Sequence, residues 1–242
     1  MRSITFELCA ETLQACLAAR EGGANRIELC SALSEDGLTP SHGFIQAAVK
    51  QSGLPVYVLL RPRSGDCVYS DAEFALMRED LLHARTLGAG GFALGILHTD
   101  GTVDLERTRE LVQLADPLEV TFHRAFDLTP SLDEALEGVV ATGCRCVLTS
   151  GGERDVVAGS GSLARLVEQA AGRIAIVAGG GLRLDNAASV ACATQARHFH
   201  GSVRRKAATV VSASGLAQSF TNEYVVESDD IRAMIAALHE GA

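Results

Sequence analysis

Glutamate, cysteine, arginine and histidine close a series of short apolar runs in this 242-residue chain, and the runs return roughly every 30 residues. FELC ends at Cys9, IELC at Cys30, VYVLLR at Arg61 and VTFHR at Arg124. Residues two apart on a strand share a face, so Glu7 lies with Cys9 and Glu28 with Cys30, while Leu8 and Leu29 face the other way. If the first two runs are neighbouring parallel strands, ~4.8 Å apart, their sulfurs meet at the strand ends. A pair of reduced thiolates suits a soft ion of low coordination number, which makes Cys9 and Cys30 a candidate Cu(I) site. The plainer reading treats each cysteine as a small buried hydrophobe.

The two glutamates are harder to set aside. A carboxylate in an apolar strand is costly unless a cation or a donor meets it. Arg61 and His123, near the ends of other strands, are the expected partners. Glu7, Glu28, Arg61 and His123 together could move protons as a catalytic set, or form a static ionic plug. Arg63, Arg124 and Asp127 lie just beyond the strands and could join that network, with Thr121 one layer below His123. A third cluster points to anions. Gly179, Gly180 and Gly181 follow one run, and His200, Gly201 and Ser202 close the next. Glycines there let backbone N–H groups approach a phosphate, and Arg204 could add charge.

These residues need a scaffold that brings strand ends to one rim. Eight β-rich runs read as strands: 4–10, 26–30, 55–61, 91–97, 118–124, 145–150, 173–178 and 197–202. Helical spacing follows each of them, with Thr12 capping the first helix and Ser70 or Asp71 capping a strong one at 71–87. Further helices are expected near 41–51, 104–114, 131–141 and 161–171, from Asp185, and from Asp229 to His239. Glycines end several helices just before the next strand. Strict alternation implies parallel strands, and the length suits a single α/β domain over 1–242, a (β/α)8 TIM barrel. The doubly wound sheet is the alternative, but polar strand ends suit a barrel lumen better. Residues 203–228 make a long excursion between strand eight and the last helix. TVVSASG and EYVVES within it look strand-like, and the segment reads as a lid, an oligomer contact or an ordered surface loop.

Composition narrows the function. A net charge of −9 opposes a general nucleic-acid or anionic-membrane binder, and the only dense basic cluster is Arg204-Arg205-Lys206. No signal peptide and no long apolar run is visible, so a cytoplasmic chain with reduced thiols is expected. The seven cysteines include no CxxC pair, which removes the usual structural zinc patterns. Cys16 and Cys192 read as helix packing, Cys144 and Cys146 as core, and Cys67 as a loop thiol.

GGANRIELC, GLTPSHG, RPRSGDCVYSDAEF, VTFHRAFD, LTSGG and FHGS together resemble the CutC family of copper homeostasis proteins, from the first strand to about residue 205. The resemblance implies a TIM barrel, a cytoplasmic role in copper handling, and Cu(I) on the cysteines of the two E-x-C strand ends, which are Cys9 and Cys30 here. Some members carry a cysteine where this chain has Gly201. Three functions follow. One is a Cu(I)-binding protein, expected as a homo-oligomer with a dimer favoured. The second is an isomerase, lyase or hydrolase acting on a small phosphorylated or sugar-like anion through Glu7, Glu28, Arg61 and His123. The third is a scaffold barrel with a purely structural mouth.

Overall fold

The computed structural model describes residues 2–206 and 224–242. Eight strands close into a barrel in chain order, every neighbouring pair parallel, with β1 pairing both β2 and β8. They are β1 (Thr5–Ala10), β2 (Arg26–Leu29), β3 (Val56–Leu59), β4 (Gly91–Leu94), β5 (Glu119–Phe122), β6 (Cys146–Thr149), β7 (Ala175–Gly179) and β8 (His198–Gly201). Closure excludes the doubly wound sheet. The helices between and after them are α1 (Leu13–Gly22), α2 (His42–Ser52), α3 (Asp71–Thr86), α4 (Leu105–Ala115), α5 (Leu132–Thr142), α6 (Ser160–Ala170), α7 (Ala187–Thr194) and α8 (Ser228–Glu240).

Local chemistry sets these boundaries. The Thr12 side chain accepts from the Ala15 N–H and starts α1, which stops at Gly23 in the left-handed conformation, φ +84°. Ser70, rather than Asp71, caps α3. Its hydroxyl accepts from the Glu73 N–H, and the Glu73 carboxylate accepts from the Ser70 N–H, a reciprocal capping box.

Alternation along the strands divides the interior in two. Phe6, Leu8, Ile27, Leu29, Phe92, Leu94, Phe122 and Phe199 face the helices and are fully buried. This outer shell carries the hydrophobic stabilisation, and losing one such phenylalanine costs ~3–5 kcal/mol. The lumen holds smaller apolar clusters, Cys9 with Cys30, Leu59 and Ala93, and Cys146 with Leu148 and Val177. Polar side chains occupy the space between them.

In the ring of helices the contact between α2 and α3 is the weakest. A groove of about 420 Å³ opens there, lined by residues that include Thr39, His42, Ile45, Leu76 and His83. Beyond β8, two short strands, β9 (Arg205–Lys206) and β10 (Tyr224–Val225), pair antiparallel. Tyr224–Val225 falls within EYVVES, whereas TVVSASG lies outside the described residues. Two of the basic trio are met by acids, Arg204 by Glu11 at 3.1 Å and Arg205 by Glu227 at 3.6 Å and Asp230 at 3.2 Å. Among the described residues no helix is long and apolar enough to cross a membrane.

Candidate metal centre

Cys9 and Cys30 stand at the C-terminal ends of adjacent strands, and their sulfurs lie 3.7 Å apart. Both are buried, at 4% and 0% exposure. The register that pairs Cys9 with Glu28 sets the carboxylate beside the first thiol, and the Cys9 Sγ donates to Glu28 Oε1 at 3.8 Å. The other oxygen, Glu28 Oε2, is buried and has no hydrogen-bond partner among the described residues. His200, reaching in from β8, completes a group in which one ligand atom each from Cys9, Glu28 and His200 lies within 4.8 Å of the others.

One layer below, Glu7 holds the centre together. It accepts from Arg26 Nε at 2.5 Å and lies 2.7 Å from His200 Nδ1. Arg26 lies over the Tyr57 ring at 4.3 Å and reaches Cys146 Sγ at 3.8–3.9 Å. The expected pairing of Glu7 and Glu28 with Arg61 and His123 is therefore corrected: Glu7 pairs with Arg26 and His200, and Glu28 meets the Cys9 thiol. Alternation already places Arg26 on the face of Glu28 and Cys30, so the missed cation was in reach of the sequence. His200 does not join an anion loop: its buried ring turns into the lumen, toward Glu7.

The two carboxylates are shifted in opposite directions. Burial raises Glu7, but the Arg26 charge and the His200 contact outweigh it and hold Glu7 below the ordinary range. Burial also raises Glu28, and the neighbouring Glu7 charge adds to the effect, so Glu28 holds its proton more readily. Burial opposes the charge on His200, but Glu28 and Glu7 together raise its pKa. Cys9 is pushed well above the usual thiol range by its hydrogen bond with Cys30, by burial, and by the charges of Glu28 and Glu7.

The remaining candidates sit elsewhere on the rim. Arg61 is 6% exposed and donates through Nη1 to the carbonyls of Glu35 (2.6 Å) and Gly37 (2.8 Å), and through Nη2 to that of Gly65 (2.9 Å). Arg63 pairs with Glu73 at 2.5 Å and Asp66 at 2.9 Å. Arg124 and Asp127 also stand apart from the glutamates. The Asp127 carboxylate accepts from Arg124 Nε, Thr149 Oγ1, Ser150 Oγ and the N–H groups of Ser150 and Gly152, and so fixes the loop after β6. Gly179 ends β7, and Gly180 lies against the Arg124 guanidinium. Gly201 is the last residue of β8, with Ser202 just beyond. Arg204 is tied to Glu11, over the Cys9 side of the mouth rather than the glycine loop. Cys67 is buried, its pKa raised mainly by desolvation, and Cys192 is exposed rather than packed.

His123 caps the short turn after β5, its Nδ1 accepting from the Ala125 N–H at 3.1 Å. Burial, with the Arg61 charge adding to it, lowers its pKa to about 4. The unfolded chain binds this proton from about pH 6.5, the folded chain only near 4, so acidification over that window favours unfolding. His123 alone is expected to remove about 3 kcal/mol of stability between those limits and to contribute nothing at neutral pH. His123→Asn keeps a capping oxygen and removes the titration. Urea unfolding at about pH 7 and about pH 5 should then show a smaller loss for the variant, and equal losses would refute the assignment.

The parallel (β/α)8 barrel gathers two thiols, two carboxylates and an imidazole toward the C-terminal ends of β1, β2 and β8, the face where barrels of this architecture build their sites. The chain belongs to the CutC family, which it matches over residues 4–205. It is similar to a family protein CutC of Chromobacterium violaceum, 42% identical over 240 residues that cover 96% of this chain and 97% of that one. A family protein CutC of Vibrio cholerae is 44% identical over 200 residues, covering 82% and 79%. Among solved structures, that of a CutC protein from Streptococcus agalactiae superposes with a TM-score of 0.78 at 33% identity, covering 82% of this chain and 98% of that chain.

Proposed function

We propose that this chain is a copper homeostasis protein that binds Cu(I) through the thiols of Cys9 and Cys30, with His200 as a further donor. The observation that carries the reading is the 3.7 Å approach of two buried sulfurs from adjacent strands. Two metal–sulfur bonds of ~2.3 Å opening at a tetrahedral angle place their sulfurs ~3.8 Å apart, so this spacing suits a bent S–metal–S angle with a further ligand. Glu7 would orient His200 in the manner of a carboxylate–histidine–metal relay. Soft thiolates favour Cu(I) over harder ions. A narrow cleft lined by Cys9, Glu11, Leu33, Arg204, Tyr224 and Val226 leads to the first thiol, and Glu11 bridges Arg204 and the Leu33 N–H beside it.

Because Cys9 is held as a neutral thiol, metal entry must expel its proton. Cu(I) affinity, measured by competition with bathocuproine, is expected to rise about tenfold per pH unit near neutrality for each thiol proton displaced. An affinity independent of pH would refute thiolate ligation at this pair.

A further inference from the structure

We propose that the mouth carries a second ligand site, with donors other than the thiol pair: the Arg61 guanidinium and the Nε2–H of His123, neighbours across Gly95, bind an anionic oxygen of a small carboxylate or phosphate. The proposal is independent of copper binding.

Strand register brings the two groups together. Leu59 pairs with Ala93 and Ala93 with Thr121, so two residues further on Arg61, Gly95 and His123 stand side by side beyond the ends of β3, β4 and β5. Gly95 makes room for the imidazole. A Cβ at that position would meet His123 Cε1 and Nδ1 at 2.5 Å, so only a glycine lets the ring lie over β4.

Among the described residues Arg61 lacks a counter-ion and His123 Nε2 lacks an acceptor. Arg61 is buried, its three hydrogen bonds go to neutral carbonyls, and among the described residues no carboxylate lies within ion-pair distance. A buried charge without a counter-ion is costly, and its titratable neighbours do not supply one. Burial keeps Cys67 and Tyr69 in their neutral forms and His123 uncharged. The Ala125 N–H donates to His123 Nδ1, which fixes the neutral tautomer with its proton on Nε2. That Nε2 is buried and has no hydrogen-bond partner among the described residues. A buried cation beside an idle N–H donor is the complement of an oxyanion, and a fixed guanidinium recognises such oxygens well.

Calorimetric titration of the full-length protein with inorganic phosphate and, separately, with malonate tests this. Saturable binding of either anion is expected, and which one binds assigns the ligand to the phosphate or the carboxylate class. His123→Asn keeps the capping oxygen, removes the Nε2–H and should weaken binding at least about tenfold. Arg61→Lys should do the same, while Cys9→Ser with Cys30→Ser leaves anion affinity unchanged. No saturable heat with either anion, or equal affinity in His123→Asn, would overturn the proposal. So would loss of anion binding in the double serine variant, because the site would then belong to the thiol pair.

Discussion

Serine at both Cys9 and Cys30 is expected to lower Cu(I) affinity on the order of a thousandfold, about 4 kcal/mol at 1.4 kcal/mol per decade. The substitution changes one atom at each position and leaves the strand ends in place, but it exchanges two soft donors for hard hydroxyls. Both cysteines pack with Leu59 and Ala93, so each new hydroxyl also enters an apolar pocket. A stability loss of about 1–3 kcal/mol per site should accompany the change, well below what unfolds a barrel of this size. Each single variant should retain the remaining thiol and lose a smaller part of the affinity. Cys16→Ser serves as the control, since Cys16 is fully buried in α1 and takes no part in the centre. Bathocuproine competition reads all four proteins, and a double variant with undiminished affinity would remove the proposed site.

Glu7→Ala is expected to produce the largest stability loss of any single change in the lumen, about 3–5 kcal/mol. Arg26 is only 13% exposed at its side chain and Glu7 3%, so the guanidinium would be left buried without its carboxylate. His200 would lose its 2.7 Å partner in the same step. Two controls separate charge from volume. Glu7→Gln keeps an acceptor and should cost less. Glu7→Leu combined with Arg26→Leu removes both charges and should recover most of the loss, because an apolar pair of similar volume replaces a buried ion pair at little net cost. Urea midpoints at neutral pH measure this. In variants that fold, Cu(I) affinity should also fall by about 10–100-fold once His200 is no longer oriented. Equal midpoints for Glu7→Ala and the double leucine variant would show that the ion pair carries no such weight.

The barrel was legible because its signals are local. Thr12, Ser70, Gly23 and Gly143 punctuate the chain where helices begin and end, and alternation around Glu7-Leu8-Cys9 sorts lumen from shell. The thiol pair was legible for the same reason, since one register between two adjacent strands decides it. The partners of the glutamates were not. Which side chains share a layer depends on the stagger of the closed barrel, which places Arg26 level with Glu7 and lifts Arg61 to the rim. Arg61 then binds carbonyls of Glu35, Gly37 and Gly65, contacts that no side-chain pattern encodes. Asp127 illustrates the same limit, because its ring of donors comes from a loop after the following strand.

Copper K-edge X-ray absorption on the Cu(I)-loaded protein tests the central claim most directly. The account predicts a first shell of two sulfur scatterers with one nitrogen or oxygen, and loss of both sulfurs when Cys9 and Cys30 are serine. A shell of nitrogen and oxygen alone, or a spectrum unchanged in that double variant, would contradict it.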